Sequence, residues 1–270
     1  MKIRAVLCLF LLATIAPTFA QHAKRTPVKP VTVSVRTTKV THGKPVTVAI
    51  RLAIRTGWHI FWKSAGDGGA PTTVRLTAPS GWKVGDLRFP VPEKVVDSSR
   101  VEFRYTREAT VLCELIPSDS AKLPLTLTVA AEWLACGKDT LPGKVTINTR
   151  AGRSLLTPRE LDRARKQLPD LYPGRYALNQ IIPEIPMQAG PVMIIFPIDG
   201  RDAGDVTDIY VEPIPGYPIV YGKVSVFNAV AQIPVIRSSA SGLPSGLRGI
   251  MIVGDRKHAL EFNAEHVVPQ

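Results

Sequence analysis

From Val31 onward the chain alternates apolar with polar residues at period two, in short bursts. "VTVSVRTTKV" (31–40), "KPVTVAIRLAI" (44–54), "TTVRLTAP" (72–79), "ATVLCELI" (109–116) and "LPLTLTVAAEWLA" (123–135) are rich in Val, Thr and Ile. Such runs make strands that are wet on one face and packed on the other. Clusters of Gly, Pro, Asp and Ser punctuate them: "THGK", "SAGDGGAP", "APSGWKVGD" and "IPSDSAK". Short alternating strands with turns at this spacing predict an antiparallel β-sandwich over residues 31–150.

One segment breaks the period. In "LTPRELDRARKQL" (156–168) Thr157 suits an N-cap, Pro158 the first helical position, and Glu160 completes a capping box. Leu161, Ala164, Arg165 and Leu168 share a face, and Pro169 and Pro173 end the helix. It is a helical connector, assigned to residues 151–171, lying against a sandwich. Beyond it strands return, including "GPVMIIFPI", "TDIYVEPI", "LRGIMIVG" and "HALEFNAEHV", cut short by prolines at 183, 186, 191, 197, 213, 215, 218 and 234. Proline is confined to strand ends and edges. The reading is a second, smaller β-sandwich over residues 172–270, and the whole is all-β.

The first twenty residues carry Lys2 and Arg4, an apolar run from Ala5 to Ile15, Pro17, and small residues at Thr18 and Ala20. That is the layout of a secretory signal peptide cleaved after Ala20. Residues 21–30 form a basic leader. The apolar run is short for a bilayer span, and no later segment reaches that length. The chain is therefore expected to be exported, with no membrane span after cleavage. Its net charge of +12 is spread diffusely, which favours solubility over a nucleic-acid site.

No phosphate-binding glycine loop, no nucleophile-elbow serine and no CxxC pair occurs, and His22, His42, His59, His258 and His266 are scattered. No cofactor or metal is expected. Three segments stand out. In "GWHIFWKSAGDGGAP" (57–71), Trp58 and Trp62 read as core anchors, His59 as a rim residue, and Asp67–Gly69 as a turn. "PSGWKVGDLRFPVPEK" (79–94) reads as loop, with Trp82, Leu87 and Phe89 as packing groups.

The third is "EWLACGKDTLPGK" (132–144), in which Cys136 closes an apolar run where a strand opens into a loop. Lys138 is two residues away and Gly137 leaves the sulfur open, features that favour a reactive thiolate. A lone cysteine is equally a small buried apolar group. The one other cysteine beyond the leader is Cys113. If "TREATVLCELIP" and "LPLTLTVAAEWLAC" pair as a hairpin centred near Asp119, Cys136 faces Phe103. Cys113 then lies on the order of 30 Å away, far beyond the roughly 7 Å a disulfide tolerates. No internal bridge is expected.

Taken in order, "GWHIFWKSAGDGGAPTTVRLTAPSGWKVGDLRFPVPEK", "EWLACGKDTLPG" and "PGRYAL" resemble the periplasmic N-terminal, or disulfide-bond corrector, module of the DsbD/ScsB thiol:disulfide interchange family. The resemblance is strongest from Gly57 to Gly143. It implies immunoglobulin-like β-sandwiches, a periplasmic location, electrons supplied by a membrane carrier (here a separate one), and delivery to periplasmic thiol-disulfide partners through two nearby cysteines. Cys136 matches the first of these. The second position falls near Thr140, which cannot exchange, so at most a single-cysteine role is implied. The same signature makes Trp58, His59, Trp62, Asp67 and Thr140 candidates for the partner-facing surface. A different class of function stands beside this one: a non-redox periplasmic binding or scaffold module in which Cys136 is merely packed.

Overall fold

A computed structural model describes residues 29–171, 176–177, 190–198, 203–237, 246–254 and 258–265. The signal peptide, most of the basic leader and most of "PGRYAL" lie outside the described residues, as do Cys8, His22 and His266.

The first half contains β1 (Val31–Thr37), β2 (Val46–Ile54), β3 (His59–Gly66), β4 (Thr73–Thr77), β5 (Trp82–Val84), β6 (Glu93–Asp97), β7 (Arg100–Tyr105), β8 (Glu108–Pro117), β9 (Thr126–Cys136) and β10 (Thr140–Arg150). They build two antiparallel sheets. One has the order β1-β2-β8-β5; the other has the order β10-β9-β3-β7-β6, with β4 also pairing β9. Period-two patterning sends one side chain in two to the gap between the sheets. Val46, Val48, Ile50 and Leu52 of β2 meet Ile60 and Trp62 of β3, Val101 and Phe103 of β7, and Leu127, Val129 and Ala131 of β9 in one buried core.

Helix α1 (Pro158–Arg165) begins as its sequence dictates. The Glu160 amide donates to Thr157 Oγ1 at 3.3 Å and the Thr157 amide donates back to Glu160 Oε2 at 3.0 Å. The Thr157 amide, and then its hydroxyl donating to Oε2 at 2.9 Å, hold the Glu160 carboxyl below the usual carboxylate range. The helix buries Ala164 on Ala49 and Leu112, flanked by Leu156, Leu161 and Leu168, and so covers the outer face of the first sheet. Arg165, expected on that face, is exposed.

The second half contains β11 (Asp170–Leu171), β12 (Tyr176–Ala177), β13 (Gly190–Pro197), β14 (Val206–Val211), β15 (Ser225–Phe227), β16 (Val230–Arg237), β17 (Gly246–Val253) and β18 (His258–Glu265). Its sheets run β11-β18-β17-β14 and β13-β16-β15, around a separate core that includes Ile209, Ile233, Met251 and Phe262. The architecture is thus two β-sandwiches joined by a short helix.

The halves meet through mixed chemistry. Phe103 stacks within 4.8 Å of Tyr210 and 5.8 Å of Tyr221, ring centroid to centroid. Ser64 Oγ lies 2.9 Å from the Tyr221 hydroxyl and donates to Val211 O at 3.0 Å. Lys94 reaches both oxygens of Asp208 at 2.8 Å, and Lys63 pairs with Glu212 at 2.6 Å and Glu261 at 3.2 Å.

Two sequence expectations need correction. β8 and β9 are not hairpin partners: β8 lies between β2 and β5, and β9 lies between β10 and the β3 and β4 strands. Both have neighbours on either edge, so the chain between them crosses from one sheet to the other. Alternation reports which face of a strand is buried, never which strand lies beside it. The chain after Cys136 is also not loop. It turns within three residues and returns as the eleven-residue β10, an edge strand that tolerates Pro142 because an edge leaves amides unpaired.

Candidate functional site

Cys136 is the last residue of β9. Leu127, Val129, Ala131 and Ala135 point into the core, so the alternate positions Glu132, Leu134 and Cys136 point outward. In the antiparallel register Cys136 stands opposite Thr140 on one side and His59 on the other. Three consecutive strands therefore place Thr140, Cys136 and His59 in a row on one outer face. The Thr140 hydroxyl donates to Cys136 Sγ at 3.9 Å. The sulfur is half-buried.

The turn that makes this row is tight. The Gly137 amide donates to Asp139 O at 2.9 Å. A Cβ on Gly137 would lie 2.8 Å from both Gly57 O and Trp58 Cδ2, so a side chain at 137 is excluded by the indole packed on it. Trp58 is partly buried and leans on the core.

His59 is flanked by Phe61 and Glu102. Its ring meets Phe61 edge-on, centroids 5.3 Å apart, and its Nε2 is 4.0 Å from Glu102 Oε2, which also lies 3.9 Å from Arg104. Burial, and then the Arg104 guanidinium, hold the His59 pKa below its usual value against the opposing pull of Glu102.

Phe61 shares this outer face, yet it is only 2% exposed. The cover is the chain after β3. At Gly66 (φ +69°) a Cβ would strike Val101 O at 2.2 Å, and the backbone there leaves the strand. It folds over Phe61 so closely that a Cβ on Gly68 would sit 2.5 Å from the Phe61 ring, and one on Gly69 2.5 Å from Leu134 Cδ2. Asp67 anchors the departure. Its amide donates to Val101 O at 2.7 Å and its carboxylate accepts from the Val101 amide at 2.9 Å.

Of the residues singled out from sequence, Cys136, Thr140 and His59 come together, with Trp58 behind the turn. Trp62 does not: it is 0% exposed in the core and offers no surface to a partner, which corrects its inclusion there. Asp67 is committed to the loop that covers Phe61. Sequence reasoning missed Phe61, Leu134 and Glu102. Phe61 has the same strand parity as His59, a signal that becomes informative only once β3 is known to lie beside β9.

Cys113 lies on β8 in the opposite sheet, 2% exposed, its thiol donating to Gly85 O at 3.3 Å. Both cysteines are free. Burial pushes the Cys113 thiol up to about 11. An unfolded thiol ionises at lower pH, so the stability Cys113 contributes is complete below the ordinary thiol pKa and is lost as pH climbs toward about 11. We expect native Cys113 to resist iodoacetamide at pH 8 and to label on unfolding. Urea midpoints should fall between pH 9 and 11 less steeply in a Cys113→Ala variant; equal slopes would refute the assignment.

Residues 27–141 match the family described as thiol:disulfide interchange protein DsbD, N-terminal. No curated protein matches the chain. Among solved structures, the N-terminal periplasmic domain of ScsB from Proteus mirabilis is 15% identical, with a TM-score of 0.57 over 89% of this chain and 95% of that one. That likeness shows the fold. The N-terminal domain of Neisseria meningitidis DsbD in its reduced form gives 13% identity and a TM-score of 0.26 over 44% of this chain and 86% of that one. The yeast GGA1 GAE domain gives 9% identity and 0.28 over 46% and 96%. No helix among the described residues is long and apolar enough to cross a membrane. The family match takes in both Cys136 and Thr140, and over residues 27–141 the chain is similar to the N-terminal module of the DsbD thiol:disulfide interchange proteins.

Proposed function

We propose that this chain is exported by a leader ending at Ala20 and works in the periplasm as an interchange module. It meets thiol-disulfide proteins through the face carrying Cys136 and exchanges through that sulfur alone. The observation that carries the reading is the register: Thr140 occupies the position directly across from Cys136, its hydroxyl 3.9 Å from the sulfur. A hydroxyl there can support a thiol but cannot resolve a disulfide. Attack by the Cys136 thiolate on a partner disulfide forms one S–S bond and breaks another, leaving a mixed disulfide and a partner thiol. With no neighbouring sulfur the adduct waits for an external thiol, so a separate membrane electron carrier would act through the partner or a small thiol.

The test is trapping. Reduced native protein is mixed with an oxidised thioredoxin-like protein, quenched with acid and analysed by mass. A mixed disulfide at Cys136, released by glutathione and absent in Cys136→Ser, is the expected result. The missing second sulfur also favours another reading, a non-redox scaffold with Cys136 as packing. Failure of the native protein to form the adduct, with Cys136 labelled only after unfolding, would establish that reading instead.

A further inference from the structure

We infer that His59 is the base that activates Cys136, with Glu102 as its positioning residue. The inference rests on the single-sulfur reading above and extends it to the origin of the reactivity. Three adjacent strands carry the three groups: Cys136 on β9, His59 on β3 and Glu102 on β7. His59 and Cys136 are directly opposed in the register, and such residues have Cβ atoms about 4.5–5.5 Å apart, so their side chains leave the same outer face from neighbouring points. The far side of the ring faces Glu102, whose Oε2 is 4.0 Å from Nε2, while Phe61 fixes the ring plane edge-on. A nucleophile, a base and a carboxylate that orients the base thus run in sequence across the sheet, an arrangement that activates weak nucleophiles elsewhere.

The surroundings keep the imidazole fit to accept a proton. Burial and Arg104 favour its neutral form, and Glu102 opposes them. The charged and titratable groups that face it are Glu102 and Arg104 from β7 and Cys136, its register partner, from β9. Asp67, from the covering loop, is already engaged by the Val101 amide. In the step, the imidazole takes the Sγ proton as sulfur attacks the partner's disulfide. The new S–S bond forms, the partner's S–S bond breaks, and the departing partner sulfur receives the proton. Cys136 is oxidised to the mixed disulfide and one partner sulfur is reduced to a thiol.

The experiment is the rate of iodoacetamide labelling of Cys136 between pH 5 and 9, located by mass, in the wild type, His59→Gln and Glu102→Gln. The wild type should show a step in rate on the acid side of the thiol titration. His59→Gln should lose that step and slow labelling at pH 7 by roughly 10²-fold, the low end for a positioned base. Glu102→Gln should keep the step and move it to lower pH, because the carboxylate that raises the His59 pKa is gone. If His59→Gln loses its near-ultraviolet circular dichroism, the Glu102→Gln shift decides alone. Rapid labelling of Cys136 with the wild-type profile in both variants overturns the role of His59 and leaves the single-sulfur reading standing. Absence of native labelling at every pH overturns both.

Discussion

A Thr140→Cys variant should close a disulfide with Cys136 on mild oxidation and acquire a dithiol cycle that the natural chain lacks. The geometry is already set. Positions 136 and 140 are directly opposed in an antiparallel pair, where Cα atoms stand about 4.5 or 5.5 Å apart, inside the roughly 4.4–6.8 Å that disulfides adopt. The present hydroxyl–sulfur distance of 3.9 Å shows both side chains directed at each other. Loop-closure entropy for so short a ring gives a stabilisation of about 2 kcal/mol at most, so the main gain is in chemistry. With a resolving sulfur beside it, the mixed disulfide collapses without an external thiol. The measurements are a 2-dalton mass loss on oxidation and the reduction of one equivalent of a thioredoxin-like disulfide by the reduced variant, which ends as the 136–140 disulfide with no mixed disulfide left over. A variant that folds but stays fully reduced under oxidising glutathione would disprove the opposed placement of these residues.

The largest loss of stability should come from Phe103→Ala. Phe103 is 1% exposed and its ring contacts Trp62 at 5.8 Å on one side and Tyr210 and Tyr221 on the other. Truncating a buried Phe costs about 3–5 kcal/mol, and here the void opens where the two sandwiches meet. Thermal midpoints should fall by on the order of 10 °C. The transition should also split. All four tryptophans lie in the first sandwich, at 58, 62, 82 and 133, so fluorescence follows that half while far-ultraviolet circular dichroism follows both. Coincident curves in the wild type and separated curves in the variant are expected, since non-coincidence marks lost two-state behaviour. A loss below about 1 kcal/mol with coincident curves would show that the aromatic cluster does not couple the halves.

Strand existence and the capped helix were legible because both are written in local period and local capping chemistry. The helix start at Thr157 needs residues 157–160 and nothing else. Strand partnership was not legible. The hairpin inferred between β8 and β9 follows from closeness in sequence, and the sandwich instead sends them to different sheets. The same limit hid the site. Cys136 and Thr140 are four residues apart and could be singled out together. His59 and Cys136 are neighbours only through the β3–β9 pairing, and Glu102 only through β7. β10 was missed for a different reason. Pro142 and Gly143 argue locally for a loop, and an edge strand overrides that preference. Phe61 breaks the burial alternation of β3 because a loop with glycines at 66, 68 and 69 covers it, and such a cover leaves no periodic trace.

β9 is shared along one edge by two strands from the same stretch of chain. β3 pairs with residues 135 and 136, and β4 with residues 128–132. The segment between Gly66 and Thr73 therefore acts as a ruler, fixing how far along β9 the chain rejoins. One residue more or fewer would turn Val74 and Leu76 from the interior to solvent or shift β4 out of step with β9. The span can exchange residue types within its glycine constraints, but its length is pinned from both ends by the strand that carries the thiol.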